Sequence, residues 1–389
     1  MADDSRILFV DHAGVLGGAE LYLLDIARHY RDRCTVLLFE DGPFRERLEA
    51  GEVNVHVLDA AQAFQSIRKA GSLWDGVRAL PGALSIIGRL AKHARRHDVV
   101  FANSQKALVA AGPAAWWAGR PFVWNLHDIL TADHFSRTNR QVAVRMANAF
   151  ADRVIVNSQA TQAAFERCGG AADRCAIVYN GLDADRFAPL PDTRRRMLRT
   201  RLGLPDDAFT VGIFSRLAPW KGQHVLIDAL SDLPGVHALF VGDALFGGDE
   251  SYAETLRTRA AQRGVADRAH FLGFRDDVPD LMQVVNVVAH TSTAPEPFGR
   301  VIVEGMLARR PVIATNAGGA REIVDDGCTG LLVPPGDVRA LAAALHRVAD
   351  HPQQAATMTE AAHARARRRF SKQAMVARID AVLDPLLSS

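Results

Sequence analysis

Short apolar runs alternate with helical stretches along nearly the whole chain, and this alternation leaves few folds open. RILFVDH (6–12), TVLLF (35–39), VNVHVL (53–58), VVFANS (99–104), FVWNLHD (122–128), RVIVNS (153–158) and AIVYN (176–180) read as buried strands, with helices in most of the gaps. A second series follows: TVGIFSR (210–216), HALFVG (237–242), RAHFLGF (268–274), VVNVVAH (284–290), PVIAT (311–315) and GLLVP (330–334). Strands apolar on both faces and separated by helices predict parallel sheets covered on both sides. Between the two series, residues 183–200 carry prolines and a run of arginines, which predicts a linker. The expected fold class is therefore α/β, with two doubly wound domains facing each other across a ligand cleft. Ligands in such sheets bind at the carboxyl ends of strands.

A chain of 389 residues with 48% hydrophobic content can fill two cores of that kind. The net charge of +2 gives no argument for nucleic-acid binding. Cys34, Cys168, Cys175 and Cys328 lack metal-ligand spacing and read as reduced thiols. Neither a secretion-signal pattern nor an apolar run of bilayer length is found. The expected location is the cytoplasm, with peripheral attachment to the inner face of the membrane as the alternative. That alternative rests on the basic run Arg89–His97, on Arg68 and Lys69 before it, and on Trp74, Trp116 and Trp117 in the same half. A charge run is more often a solvated face.

Chemistry concentrates in the stretch from His290 to Val324. It ends a strand, crosses a Pro/Gly turn, opens a helix near Gly299 and returns through Gly318 and Gly319. Glu296 and Glu304 flank the turn, and a helix start there would offer the backbone amides of Phe298, Gly299 and Arg300 to an anion. A small pocket with carboxylates at both ends suits a polyhydroxylated, phosphorylated ligand. Spacing alone is weak evidence, but Glu304 lies in an apolar run, where a carboxylate is partnered or functional. Arg216 and Lys221, in FSRLAPWKGQ, suit a diphosphate: one forks, the other is a point charge. His127 ends a strand, where site residues belong. Gly14, Gly17 and Gly18 lie between the first strand and its helix, without the dinucleotide-binding spacing. Asp183 and Asp185 match a metal-binding pair, but their place in a linker argues against that use.

These motifs resemble those of retaining glycosyltransferases of the GT-B fold, in family 4. The resemblance rests on GGAE (17–20), HD (127–128), YNGLDADRF (179–187), GIFSRLAPWKG (212–222) and EPFGRVIVEGMLARRPVIATNAGGAREIV (296–324), and covers nearly the whole length. It implies a Rossmann-like acceptor-binding domain over 1–187, a linker over 188–200, a Rossmann-like nucleotide-sugar domain over 201–369 and a C-terminal helix over 370–389 that returns to the first domain. By the same resemblance, Arg216 and Lys221 are expected on the donor diphosphate and Glu304 on the ribose. Glu296 is expected near the transferred sugar, with backbone amides from Phe298 and Gly299. His127 is expected beside that sugar, Gly17 and Gly18 near the phosphate and acceptor, and Arg275 in the base-recognition loop. The implied donor is a UDP-sugar or GDP-sugar, with a glycan or lipid-linked acceptor. No cofactor is implied, and basic side chains take the place of a divalent metal. A nucleotide-sugar-binding relative without turnover and a GT-B epimerase are the competing readings. A dehydrogenase is disfavoured, because neither half carries G-x-G-x-x-G after its first strand.

Overall fold

The structure, a computed structural model, describes residues 5–58, 73–132, 134–244 and 250–387. Arg68 and Lys69 lie outside them, and the side chain of Trp74 is not described. Two compact units are formed. The first comprises Met1–Gly181 with Lys372–Ser389, and the second Leu182–Ser371.

In the first unit the strands are β1 (Ile7–Asp11), β2 (Cys34–Leu38), β3 (Asn54–Val57), β4 (Val99–Ala102), β5 (Phe122–Leu126), β6 (Arg153–Val156) and β7 (Cys175–Ile177). They form one sheet in the order β3-β2-β1-β4-β5-β6-β7. Its pairings are parallel, with Ile7 between Cys34 and Val99. Alternate residues of β1 feed two different cores, as the period of two in a strand requires. Leu8 and Val10 pack with Leu90, Leu108 and Val144. Ile7 and Phe9 pack with Tyr22 and Ile26 of the helix Gly18–His29. The same core takes Met375, Ile379 and Leu383 from the C-terminal helix Lys372–Leu387. Tyr30 donates to Asp380 at 2.7 Å, and Lys372 lies 2.9 Å from Asp25.

The second unit repeats the plan. Its strands are β8 (Thr210–Phe214), β9 (His237–Val241), β10 (Ala269–Gly273), β11 (Val287–His290), β12 (Val312–Thr315) and β13 (Leu331–Val333). Their order is β10-β9-β8-β11-β12-β13, again parallel, with Val211 between Ala238 and Val287. In both sheets the strand order reverses beside the first strand of the unit, at β1/β4 and at β8/β11. Loops leaving neighbouring strands part there and open a crevice at the carboxyl ends.

One expectation is corrected. Residues 188–200 are not a free linker: the second unit starts at Leu182, and Asp192–Arg201 is a helix. Its Arg194 pairs with Asp280 at 2.5 Å. Arg199 is buried and donates to the carbonyls of Val284, Pro205 and Ala208. The Gln283 side chain ties down the preceding turn through Leu190 N and Ala188 O. The helix hid because it is held by arginine hydrogen bonds instead of an apolar stripe.

Because Ile379 is fully buried in the first unit, Ile379→Ala should cost that unit about 2–5 kcal/mol. Urea titration read by tryptophan fluorescence measures it. An unchanged midpoint would mean that the C-terminal helix is not a working part of this core.

Candidate active site

In the second unit the loops leaving β8 and β11 converge on one carboxylate. Glu296 is buried, with a 9% exposed side chain, and three groups meet its Oε1. Lys221 Nζ donates at 2.7 Å, Ser292 Oγ donates through a short hydrogen bond, and His290 Nε2 lies 3.0 Å away. Burial alone would raise the Glu296 pKa. Lys221 and His290 outweigh it and hold the group well below the ordinary carboxylate range.

Glycines make this packing feasible. Gly222 has φ +72°, and a Cβ there would collide with the Thr291 carbonyl. Gly318 has φ +57°, and a Cβ would meet the Glu296 carbonyl, to which Gly319 N donates at 2.9 Å. Hydrogen bonds join the two loops: Thr291 Oγ1 donates to Lys221 O at 3.0 Å and Thr293 N to Trp220 O at 2.8 Å. The Trp220 ring serves two cations. Lys221 Nζ stands 4.2 Å and Arg216 Cζ 5.3 Å from its centroid. Arg216 and Lys221, five residues apart in sequence, are thus brought to one ring.

The helix expected near Gly299 runs Arg300–Leu307, with Gly299 at its N-cap and φ +100°. Phe298 is buried, edge-on to Phe370 at 5.7 Å. Glu304 sits one turn inside the helix and accepts from Arg300 Nε at 3.0 Å. The two glutamates have different immediate partners. Space beside Glu296 amounts to about 10 Å³, room for roughly one water, and Glu304 does not line it. Arg275 follows β10 and forms a two-pronged pair with Asp277 at 2.7 and 2.6 Å. Asp183 caps the turn Ala184–Phe187, accepting from Asp185 N at 3.1 Å.

In the first unit, four adjacent strands end in polar side chains. Asp11 closes β1 and is fully buried. Asn103 Nδ2 donates to its Oδ2 at 2.6 Å, and His12 N to its Oδ1 at 2.6 Å. Against burial, which raises it, hydrogen bonds from His12 and Asn103 keep the Asp11 pKa low. Asn125 Nδ2 donates to Asn103 Oδ1 at 3.1 Å. His127 Nε2 lies 2.8 Å from both Asn103 Oδ1 and Asn125 Nδ2, and its carbonyl accepts from Asn157 at 3.2 Å. Its ring meets Tyr22 edge-on at 4.9 Å. Burial pushes the His127 pKa down to about 4, despite Asp11, so the imidazole is neutral at pH 7. Gly17 caps the helix opened by Gly18, and its N–H donates to Glu20 Oε2 at 2.9 Å. Burial, then the Asp11 charge, raises the Glu20 pKa to about 7. Asn103, Asn125, Asp11 and His290 were missed by sequence reasoning. Each stands at a strand's carboxyl end, and that position was the one available signal.

Known proteins match this arrangement. The family described as Glycosyl transferases group 1 matches residues 195–365, and Glycosyltransferase Family 4 matches residues 16–186. HepE of Anabaena, crystallised with UDP, is 44% identical; the match covers 98% of this chain and all of that one, with a TM-score of 0.88. The chain belongs to glycosyltransferase family 4. Its two sheets have the GT-B architecture. The same HepE has been crystallised with UDP-glucose, where the match is 43% identical over 99% of this chain and 100% of that one, at a TM-score of 0.86. A GDP-mannose-dependent alpha-(1-6)-phosphatidylinositol monomannoside mannosyltransferase of Mycolicibacterium smegmatis is 33% identical over 291 residues, 70% of this chain and 73% of that one.

The lowered pKa of Glu296 fixes a sign. Its contribution to stability is complete above the unfolded carboxylate value of about 4.3 and is lost as pH falls toward the lower folded value. Glu296→Gln should therefore flatten the dependence of stability on pH between about pH 5 and pH 3. Denaturant titrations across that range test it. Parallel profiles for the two proteins would rule out the pairing as drawn.

Proposed function

We propose that this family 4 member transfers a sugar, in the first instance glucose, from UDP to an acceptor hydroxyl with retention of anomeric configuration. The observation that carries the donor is the 44% identity to HepE, which has been crystallised with UDP and with UDP-glucose, over almost the full length of both chains. The relative named for GDP-mannose is more distant and matches less of this chain, so UDP is preferred to GDP. The acceptor is a glycan or a lipid-linked saccharide, at work in polysaccharide or glycoconjugate assembly.

The residues divide the chemistry as follows. Transfer breaks the bond between the anomeric carbon and the phosphate oxygen, and charge grows on the leaving diphosphate. Lys221 and Arg216 stabilise it there, the large electrostatic contribution in such reactions. The acceptor oxygen bonds to the anomeric carbon on the same face, and its proton passes to the departing phosphate. His127, neutral at pH 7, hydrogen-bonds a hydroxyl of the sugar. Glu304 takes the ribose hydroxyls, Arg275 marks the base-recognition loop, and the Phe298 and Gly299 amides face the diphosphate. Gly17 and Gly18 leave room for phosphate and acceptor. Glu296 positions Lys221 and lies near the transferred sugar. A divalent metal is not required.

Two measurements test this reading. A thermal-shift panel of UDP, GDP, ADP and TDP, with and without magnesium, should show UDP standing out without the metal. A ligand at 100 times its dissociation constant adds about 2.7 kcal/mol. A preference for GDP would overturn the donor assignment, and no shift with any nucleotide would favour a relative without turnover. Second, Lys221→Ala should lower kcat/KM by two orders or more, the effect of removing about 2.7–4 kcal/mol of barrier stabilisation. That variant also strands the buried Glu296 carboxylate. Adding Glu296→Gln should restore the melting temperature without restoring transfer. Activity that returns together with stability would sink the phosphate role.

A further inference from the structure

The first unit has a second polar concavity, at the opposite ends of its strands from Asp11 and His127. A cavity of about 400 Å³ opens where β1, β2 and β3 begin. Since β1 has five residues, four steps of ~3.3 Å put its two ends about 13 Å apart. Arg6 precedes β1, Arg31 and Arg33 precede β2, and His93, Arg96 and His97 come from the end of the helix Leu73–Ala94 and the turn after it. His56 faces it from β3, and Asp32 is the one carboxylate in the lining.

Among the described residues, the charges lining this concavity do not balance. Asp32 and Glu52 lie 3.9 and 3.8 Å from Arg31 Nε. Asp98 accepts from the Arg6 backbone N–H at 2.8 Å and lies 3.9 Å from Arg120. Arg33 stacks over the Tyr30 ring at 5.0 Å. Among the described residues, no carboxylate is ion-paired with the guanidinium of Arg6 or of Arg96. Guanidiniums that converge on one concavity repel each other unless an anion lies between them, and their fork of N–H groups matches phosphate oxygens. The histidines report the same field. Burial first, then His56, His97, Arg96 and Arg89, lowers the His93 pKa. His97 Nδ1 donates to the His93 carbonyl at 2.8 Å, which fixes the orientation of the His97 ring.

We propose that this concavity binds a phosphate-bearing anion, held by the Arg6 and Arg96 guanidiniums with Arg31 and Arg33 at its sides. The site is independent of the donor reading, since it shares no residue with it. Free pyrophosphate and a lipid phosphate headgroup offer the same chemistry. The concave shape favours the small molecule over a flat membrane surface.

The test is calorimetric titration with inorganic pyrophosphate of the full chain carrying Lys221→Ala and Glu296→Gln, which weakens the proposed donor-phosphate site without adding a competing diphosphate. One saturable binding event is expected. Arg6→Glu and Arg96→Glu should each weaken it tenfold or more, with the melting temperature and UDP affinity unchanged. In a second arm the chain is sedimented with phosphatidylglycerol vesicles and with phosphatidylcholine vesicles. Sedimentation with the anionic vesicles alone, lost in both variants, would assign the phosphate to a headgroup. Binding of pyrophosphate or vesicles that both variants retain, or no binding of either probe, would overturn the site.

Discussion

The second unit is built around the cost of burying Glu296. An ionised carboxylate taken out of water loses several kcal/mol of solvation, and only close, well-aimed partners offset that. Here they come from three places in the sequence: Lys221 from the loop after β8, His290 from the end of β11 and Ser292 just beyond it. Pairing therefore locks together the loops on either side of the point where the strand order reverses. The backbone has to follow. Gly222 lies against Thr291, and Gly318 and Gly319 lie against the chain at Glu296 and Phe298, at separations that leave no room for a side chain. Around one buried charge, glycine is thus required at Gly222 and, 96 and 97 residues later, at Gly318 and Gly319.

The first unit solves the same geometric problem with different chemistry. Its crevice between β1 and β4 is also lined from strand ends, but by Asp11, Asn103, Asn125 and His127. The Asn103 amide spends its N–H on Asp11 and its oxygen toward Asn125 and His127. The charge on Asp11 is absorbed locally and His127 stays neutral. A neutral imidazole and amides can donate to and accept from hydroxyls without repelling a sugar whose anomeric carbon is gaining positive charge. The second unit offers cations, which suit a diphosphate. On the proposed reaction, each unit presents the polarity that its share of the substrates requires.

The sequence displayed the strands well, because buried parallel strands are apolar on both faces and the runs could be counted. Each run contains or overlaps an observed strand, although VVN (284–286) belongs to a helix end and the turn after it, not to β11. The segment at 188–200 was misread for a physical reason: a helix held by Arg199 and Gln283 shows no hydrophobic period. Candidate residues with unusual loop neighbours, which the structure gathers around Trp220 and Glu296, stood out in the sequence. Arg216 and Lys221 stand beside Pro219, Trp220 and Gly222, and Glu296 stands in a Pro/Gly turn. Asn103 and Asn125 did not, since an asparagine after an apolar run looks like an ordinary strand terminus until its hydrogen bonds are seen. His290 was hidden because its partner, Glu296, shares no helical or strand spacing with it. Linear separation along a turn and helix gives the distance between Glu296 and Glu304 but not which way each side chain faces. Glu304 turns to Arg300, and Glu296 turns inward to Lys221.

That inward turn changes what Lys221 contributes. A lysine on a flexible stem would have to be gathered into place as charge develops on a leaving diphosphate, and that reorganisation raises a barrier. Here Glu296 and the Trp220 face hold the ammonium in advance, which is the condition under which electrostatic stabilisation is most effective. The cost is that Glu296 cancels part of the positive field. Arg216 comes to the same ring, its Cζ 5.3 Å from the centroid. On the proposed reaction the two cations gathered at this ring act together on the diphosphate.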